Sequence, residues 1–133
     1  MASHRGTRTA VLEAPRRFGI VSRQMPVAGP NEVVVRIAAT AVCHTDLSIY
    51  TGQHPGVRYP VVMGHECTGV VDAVGPEVAG LRPGQPVIVN PIISCGRCDS
   101  CLRGAGNLCR RAGLFGREVE GSLSQYVSLA ARY

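Results

Sequence analysis

The sequence predicts a mainly β fold: a small barrel of short strands, with short helices and a cysteine-rich lobe set into it. Three observations carry that expectation. Sixteen Gly and nine Pro divide a series of short Val- and Ile-rich runs, a turn-rich pattern that suits strands and not a helical bundle. Aromatic residues make up only 5% and Trp is absent, so the core rests on Val, Ile, Leu and Ala, which pack well on pleated strands. The 133 residues, 45% of them hydrophobic, fall within the size of one folded unit with its own core.

The elements follow in order. Arg8 to Glu13, Gly19 to Ser22 and Glu32 to Val42 read as strands, with a Pro/Gly turn over 25–31 before the third; they predict an opening antiparallel meander. Asp46 to Tyr50 is expected to form a short helix, followed by a Gly/Pro-rich loop from Gly52 to Pro60, the kind of segment on which chemistry often sits. Glu66 to Val74 predicts a buried strand that Gly75-Pro76 terminates. After a tight turn over 81–86 come a strand at Val87 to Asn90, a Cys-bearing excursion from Ser94 to Arg111, and a closing strand from Gly121 to Ala130. Internal repeats, low-complexity tracts and linkers are not evident. One domain spanning 1–133 is the expectation.

The formal charge is +5, and all 14 basic residues are Arg. A basic balance raises the question of nucleic acid, but the arginines scatter from Arg5 to Arg132 with only two doublets, Arg16-Arg17 and Arg110-Arg111. Nucleic acid is therefore not the expected partner. The N-terminal MASHRGTRTAV contains no apolar run of signal-peptide length, and no stretch reaches the roughly 20 apolar residues of a spanning helix. A cytoplasmic protein without membrane attachment is expected, in which six Cys serve metal binding before disulfides.

Cys95, Cys98, Cys101 and Cys109 are spaced C-x2-C-x2-C-x7-C. A short loop with this spacing gathers four thiolates around one tetrahedral Zn(II), closing its coordination sphere, so the site is read as structural. The competing readings are an iron–sulfur cluster and two disulfides. Ferredoxin-type runs use a shorter final gap and a Pro after the last Cys, where this chain has Arg110; disulfides need an oxidising compartment. Gly104-Ala-Gly106 fails as a dinucleotide fingerprint, because Cys109 stands in the place of the third Gly.

Cys43-His44-Thr45-Asp46 lies at the end of one predicted strand and Gly64-His65-Glu66 at the start of another. A thiol and an imidazole make up part of a catalytic zinc site, which takes three protein ligands and keeps the fourth position open. In order and spacing, C-H-T-D, then G-H-E-C-T-G-V-V-D-A-V-G, then C-x2-C-x2-C-x7-C resemble the zinc-dependent medium-chain alcohol dehydrogenases over nearly the whole chain.

The resemblance implies a GroES-like barrel in which Cys43 and His65 ligate a catalytic zinc and Glu66 is an occasional ligand. A further Cys ligand is expected beyond Tyr133. It also implies that Asp46 orients the His65 imidazole, that Thr45 takes the substrate proton, and that His44 meets the cofactor pyrophosphate. Many relatives carry His three positions after the hydroxyl residue. Here that residue is Ser48, which passes a proton through water, or yields that role to His54. Cys67 is read as a buried thiol outside the site, and Gly64, Gly69 and Gly75 as positions of close approach or turning. The implied activity is hydride transfer between an alcohol or carbonyl substrate and NAD or NADP.

No Rossmann-type cofactor fold is evident in these residues, so the sequence is expected to be the N-terminal part of a longer enzyme, inactive alone. A homo-oligomer is possible for the complete enzyme. The 48–59 loop and Asn90-Pro91-Ile92 are expected to line part of the substrate pocket. Two other classes compete: a non-catalytic zinc-binding interaction module, and a nucleic-acid-binding zinc ribbon using Arg97, Arg103, Arg110 and Arg111.

Overall fold

The computed structural model describes residues 6–133; the reading of the extreme N-terminus, including Arg5, lies outside the described residues. Strands dominate, as the composition predicts. β1 (Gly6–Ala14) and β2 (Arg17–Gln24) form an antiparallel hairpin. Its turn places Pro15 first and Arg16, at φ 63°, second, a positive φ that glycine or asparagine usually supplies. The Arg16 N–H donates to the Tyr50 carbonyl at 2.8 Å, which ties this strained corner to the rest of the fold.

The expected three-stranded meander stops at this hairpin. β3 (Glu32–Ala41) leaves β2 and joins β4 (Glu66–Val74), β5 (Pro86–Ile88) and β8 (Tyr126–Ala130) in an antiparallel sheet of order β5-β4-β3-β8. The reason lies in Val33, Val34 and Val35, which are all buried. A strand covered on both faces belongs in the middle of a sheet, and not beside the half-exposed β2. Register shifts at Val34/Val35 and Ile37/Ala39 bend β3, as bulges do.

Two apolar clusters result. Val33, Val35, Cys67, Val89, Phe115, Val127 and Leu129 fill the first, with Val33 opposite Leu129 and Val35 opposite Val127 across the sheet. The second joins Leu12, Val61 and Met63 to Ile49 of α1 (His44–Thr51). Gly52, at φ 80°, closes this helix, and the Tyr59 hydroxyl donates to the Ile49 carbonyl at 2.6 Å. The 52–60 loop is thereby folded back onto the helix end.

The closing strand is shorter than expected, because residues 121–125 bond in three directions. Gly121, Ser122 and Leu123 donate to the carbonyls of Val62, Gly64 and Met63; Ala10 donates to Leu123, Gln125 to Arg8, and Ile37 to Gln125. This segment stitches β1 and the 61–64 stretch to the main sheet. A small hairpin of β6 (Ile92–Ile93) and β7 (Gly113–Leu114), not foreseen in the sequence, forms the neck of the cysteine lobe. The lobe holds α2 (Asp99–Leu102) and a 3-10 turn at Gly106–Leu108. Among the described residues no helix is long and apolar enough to cross a membrane.

Candidate metal centres

The first centre forms where β3 ends and α1 begins. Cys43 is the N-cap of α1, and the helix starts at His44, two residues before the sequence expectation. The Thr45 N–H donates to Cys43 Sγ at 3.3 Å, while the Cys43 N–H donates to Asp46 Oδ2 at 3.0 Å. These reciprocal bonds, of the capping-box type, hold the thiol at the N-terminus of α1. Asp46 is 1% exposed, and its other oxygen, Oδ1, accepts from the Gly64 N–H at 3.3 Å. One buried carboxylate thus holds the backbone of both sequence motifs.

That clamp brings His65 to Cys43: Nε2 lies 3.0 Å from Cys43 Sγ. On the far side of the ring, Nδ1 is 3.5 Å from Asp46 Oδ1. The ion-pair distance is met, but buried Nδ1 has no hydrogen-bond partner. A carboxylate facing Nδ1 favours the tautomer with the proton there, which frees the Nε2 lone pair toward the sulfur. Cys43, Asp46 and His65 each bring a ligating atom within 4.8 Å of the others. Sulfur and imidazole nitrogen converging with a carboxylate behind the ring fit a zinc ion.

The remaining residues singled out in the sequence surround this point unequally. Thr45 and Ser48 are half-buried on α1, and His44 is exposed. The Ser48 hydroxyl donates to the His44 carbonyl at 3.1 Å. Glu66 is exposed and is not one of the three converging residues. His54 follows the helix, its Nδ1 2.9 Å from the Pro55 carbonyl and its N–H bonded to the Ser48 carbonyl. Cys67 is buried in the first apolar cluster; burial pushes its thiol above its ordinary pKa, opposed by Ser122.

Behind His65 is a glycine cradle whose full extent the sequence does not reveal. Gly64 has φ 94°, and the backbone of Gly116 and Gly121 passes so close that a Cβ on Gly121 would lie 2.3 Å from the Gly64 carbonyl and 2.4 Å from that of Met63. These neighbours are backbone and cannot rotate aside. Gly121→Ala is therefore expected to cost more than about 2 kcal/mol, read as a lowered denaturant midpoint with unchanged slope.

The second centre is the cysteine lobe. Cys95, Cys98, Cys101 and Cys109 bring four sulfurs within 4.8 Å of one another; Cys98 to Cys101 is 3.5 Å and Cys95 to Cys101 is 4.0 Å. A tetrahedral zinc with Zn–S near 2.3 Å sets its sulfurs about 3.8 Å apart, so the donor set fits one ion. Backbone N–H groups of Cys95 and Arg111 donate to Cys109 Sγ at 3.4 and 3.3 Å. A hydrogen bond from the Arg97 backbone lowers the Cys95 thiol to about 6, with smaller help from Cys109 and Cys98 against desolvation. Backbone donation at Cys101 also lowers Cys98, whereas desolvation raises Cys101. All six cysteines are free thiols.

A cleft of about 600 Å³ is lined by Gly56, Arg58, Pro60–Val62 and Arg117–Glu120 among others, and by none of Cys43, Asp46 and His65. It takes in part of the 48–59 loop expected to line a pocket. Asn90 and Ile92, also expected there, border a separate cleft against the lobe at Ser94 and Cys101.

Comparison with known proteins places this arrangement. Residues 29–133 match the alcohol dehydrogenase GroES-like domain. Starvation-sensing protein RspB of Escherichia coli K12 is 37% identical over 125 residues, covering 94% of this chain and 37% of that protein. The crystal structure of an NAD-dependent alcohol dehydrogenase superposes with a TM-score of 0.86 at 41% identity, over 93% of this chain and 37% of that one. A cobalt- and zinc-bound thermostable alcohol dehydrogenase from Pyrobaculum aerophilum gives a TM-score of 0.88 at 30% identity, over 96% of this chain and 40% of that one. The chain thus spans little more than a third of the length of these relatives. On the match over residues 29–133, with the mainly β fold and the two cysteine-bearing centres, the chain belongs to the family of alcohol dehydrogenase GroES-like domains.

Proposed function

We propose that this chain is the metal-binding part of a zinc-dependent, NAD(P)-linked alcohol dehydrogenase. Residues 1–133 act as one domain with a structural zinc lobe at about 94–111, and the cofactor fold comes from outside these residues. The observation that carries the reading is the convergence of Cys43 Sγ and His65 Nε2 at 3.0 Å with buried Asp46 behind the ring. A bound zinc ion supplies Lewis acidity toward an alcohol or carbonyl oxygen.

Cys43 and His65 hold the ion, with a third protein ligand from beyond these residues and Glu66 as an occasional substitute. Asp46, facing Nδ1, favours the His65 tautomer protonated there and, through the Cys43 and Gly64 N–H groups, sets the separation of the two ligands. Thr45, in the first turn of α1, accepts the hydroxyl proton, and Ser48, one turn on, passes it outward. His44, exposed at the helix start, meets the pyrophosphate of NAD or NADP. Cys95, Cys98, Cys101 and Cys109 close a sphere with no open position, so that lobe serves structure alone. Neither a non-catalytic interaction module nor a nucleic-acid-binding ribbon has a use for the Cys43–Asp46–His65 convergence.

Cobalt titration tests the assignment. Two spectroscopically distinct ions are expected per chain, one rich in thiolate-to-cobalt absorption and one with a single thiolate contribution. The Cys43→Ala, His65→Ala double variant should lose only the latter. An unchanged two-ion spectrum in that variant would reject the first centre.

A further inference from the structure

The cleft between the 56–62 and 117–120 segments contains charged groups that the proposed chemistry at the metal does not use. Its wall carries three arginines, Arg23, Arg58 and Arg117, and two glutamates, Glu118 and Glu120. The glutamates are both committed. Glu120 pairs with Arg23 Nη1 at 2.5 Å, and Glu118 pairs with Arg117 Nε at 2.6 Å while accepting the Leu114 N–H at 2.6 Å. Desolvation pushes Glu118 up, but the Leu114 N–H and Arg117 together outweigh it and hold the carboxyl below its ordinary pKa.

Arg58 has no ion pair or hydrogen bond among the described residues. Its whole guanidinium fork is available, and pairing through Nε leaves the terminal nitrogens of Arg117 available too. The lining therefore carries one uncompensated positive charge and two sets of planar donors, the geometry that binds carboxylate or phosphate oxygens in pairs.

Both walls of the cleft continue along the chain into segments that hold His65. One wall, Pro60 to Val62, runs on through Met63 and Gly64 to His65. The other, Arg117 to Glu120, runs into Gly121 and Ser122, whose N–H groups bond the Val62 and Gly64 carbonyls at 2.8 and 2.9 Å. Val62, which lines the cleft, is three residues from His65, so the two lie within about 10 Å along the chain. From these observations the geometry points to an alcohol substrate that carries an anionic oxyacid group, a carboxylate or a phosphate ester, held at Arg58 and Arg117 several carbons from the hydroxyl that reacts at the Cys43–His65 centre. This inference rests on the dehydrogenase reading above and deepens it by naming the substrate class.

The test uses the zinc-loaded 133-residue chain with isotope-labelled amides, and three probes of similar size: gluconate, glucose 6-phosphate and neutral sorbitol. At least one anion is expected to shift the amides of Gly56–Val62 and Arg117–Glu120, saturably and more weakly at high salt, with sorbitol at least tenfold weaker. Response to gluconate alone assigns a sugar acid, and to glucose 6-phosphate alone a phosphate ester. Arg58→Gln, at an exposed position, should weaken the anion about tenfold while the spectrum stays folded, the loss expected for a charged hydrogen-bond partner. Arg117→Gln should weaken it independently. Equal response to sorbitol, shifts confined to other regions, or undiminished binding by Arg58→Gln would overturn the inference. Zinc measured on the same samples separates the two readings: anion binding without zinc at Cys43 and His65 would refute only the metal assignment, and zinc without anion binding only the substrate class.

Discussion

Cys98→Ser is expected to unfold the cysteine lobe and leave the main sheet standing. Neither α2 nor the 3-10 turn contains a buried residue, and Leu102 and Leu108 are 74% and 66% exposed. The lobe therefore lacks an apolar core, and a four-residue helix is far too short to persist by itself. Metal ligation must supply the organisation; structural zinc contributes roughly 10–16 kcal/mol of apparent binding free energy in small zinc domains. Replacing one of four thiolates should lower zinc affinity by orders of magnitude. Hydrogen exchange checks this: amides such as Leu102, Arg103 and Arg111, bonded in the lobe at 2.9, 3.1 and 3.3 Å, should lose protection. Those of β3, β4 and β8, supported by the Val33–Leu129 cluster, should retain it.

Asp46→Ala is the second large effect. The carboxylate is 1% exposed and accepts from the Cys43 and Gly64 N–H groups at 3.0 and 3.3 Å. Its removal leaves two backbone donors without partners where the space around them is filled, at about 1–3 kcal/mol each. A loss of about 3 kcal/mol, or about 10 °C in Tm, is expected in thermal unfolding of the metal-loaded chain. A purely structural role would stop there. Because Asp46 also faces His65 Nδ1, metal affinity at Cys43 and His65 should fall a further 10- to 100-fold, measured by competition with a chelator under conditions where the variant is folded. Asp46→Asn keeps one acceptor oxygen and should recover part of the stability.

Much of this arrangement is legible in the residues, and the failures have identifiable causes. The strands at Glu32–Ala41 and Glu66–Val74 are legible because their Val-rich runs end at turn signals. The cysteine spacing points to a lobe because four thiols within fifteen positions need no tertiary information to converge. The helix starts two residues before the position the sequence suggests because its cap is a cysteine, and capping preferences point to Ser, Thr, Asp or Asn.

The meander failed at β3 because pairing partners are chosen by burial on two faces, which local patterning does not encode. In sequence, 121–125 is continuous with the closing strand expected over Gly121 to Ala130. Instead, Gly121 and Ser122 lie against the Met63–Gly64 backbone, a contact some sixty positions away in sequence. Motif matching likewise named Asp46 as a partner of His65; its bonds to the Cys43 and Gly64 amides, which set the distance between the two motifs, became visible only in three dimensions.

The central claim, two independent metal centres on one small β domain, is tested most directly by counting zinc on chelator-washed chain. The count should be made beside Cys98→Ala and the Cys43→Ala, His65→Ala double variant. The prediction is one tightly held zinc, lost in Cys98→Ala and retained in the double variant, with a second, weaker zinc that appears on metal titration and vanishes only in the double variant. Folded wild-type protein that takes up no zinc, or a Cys98→Ala protein that still holds its tight ion, would contradict it.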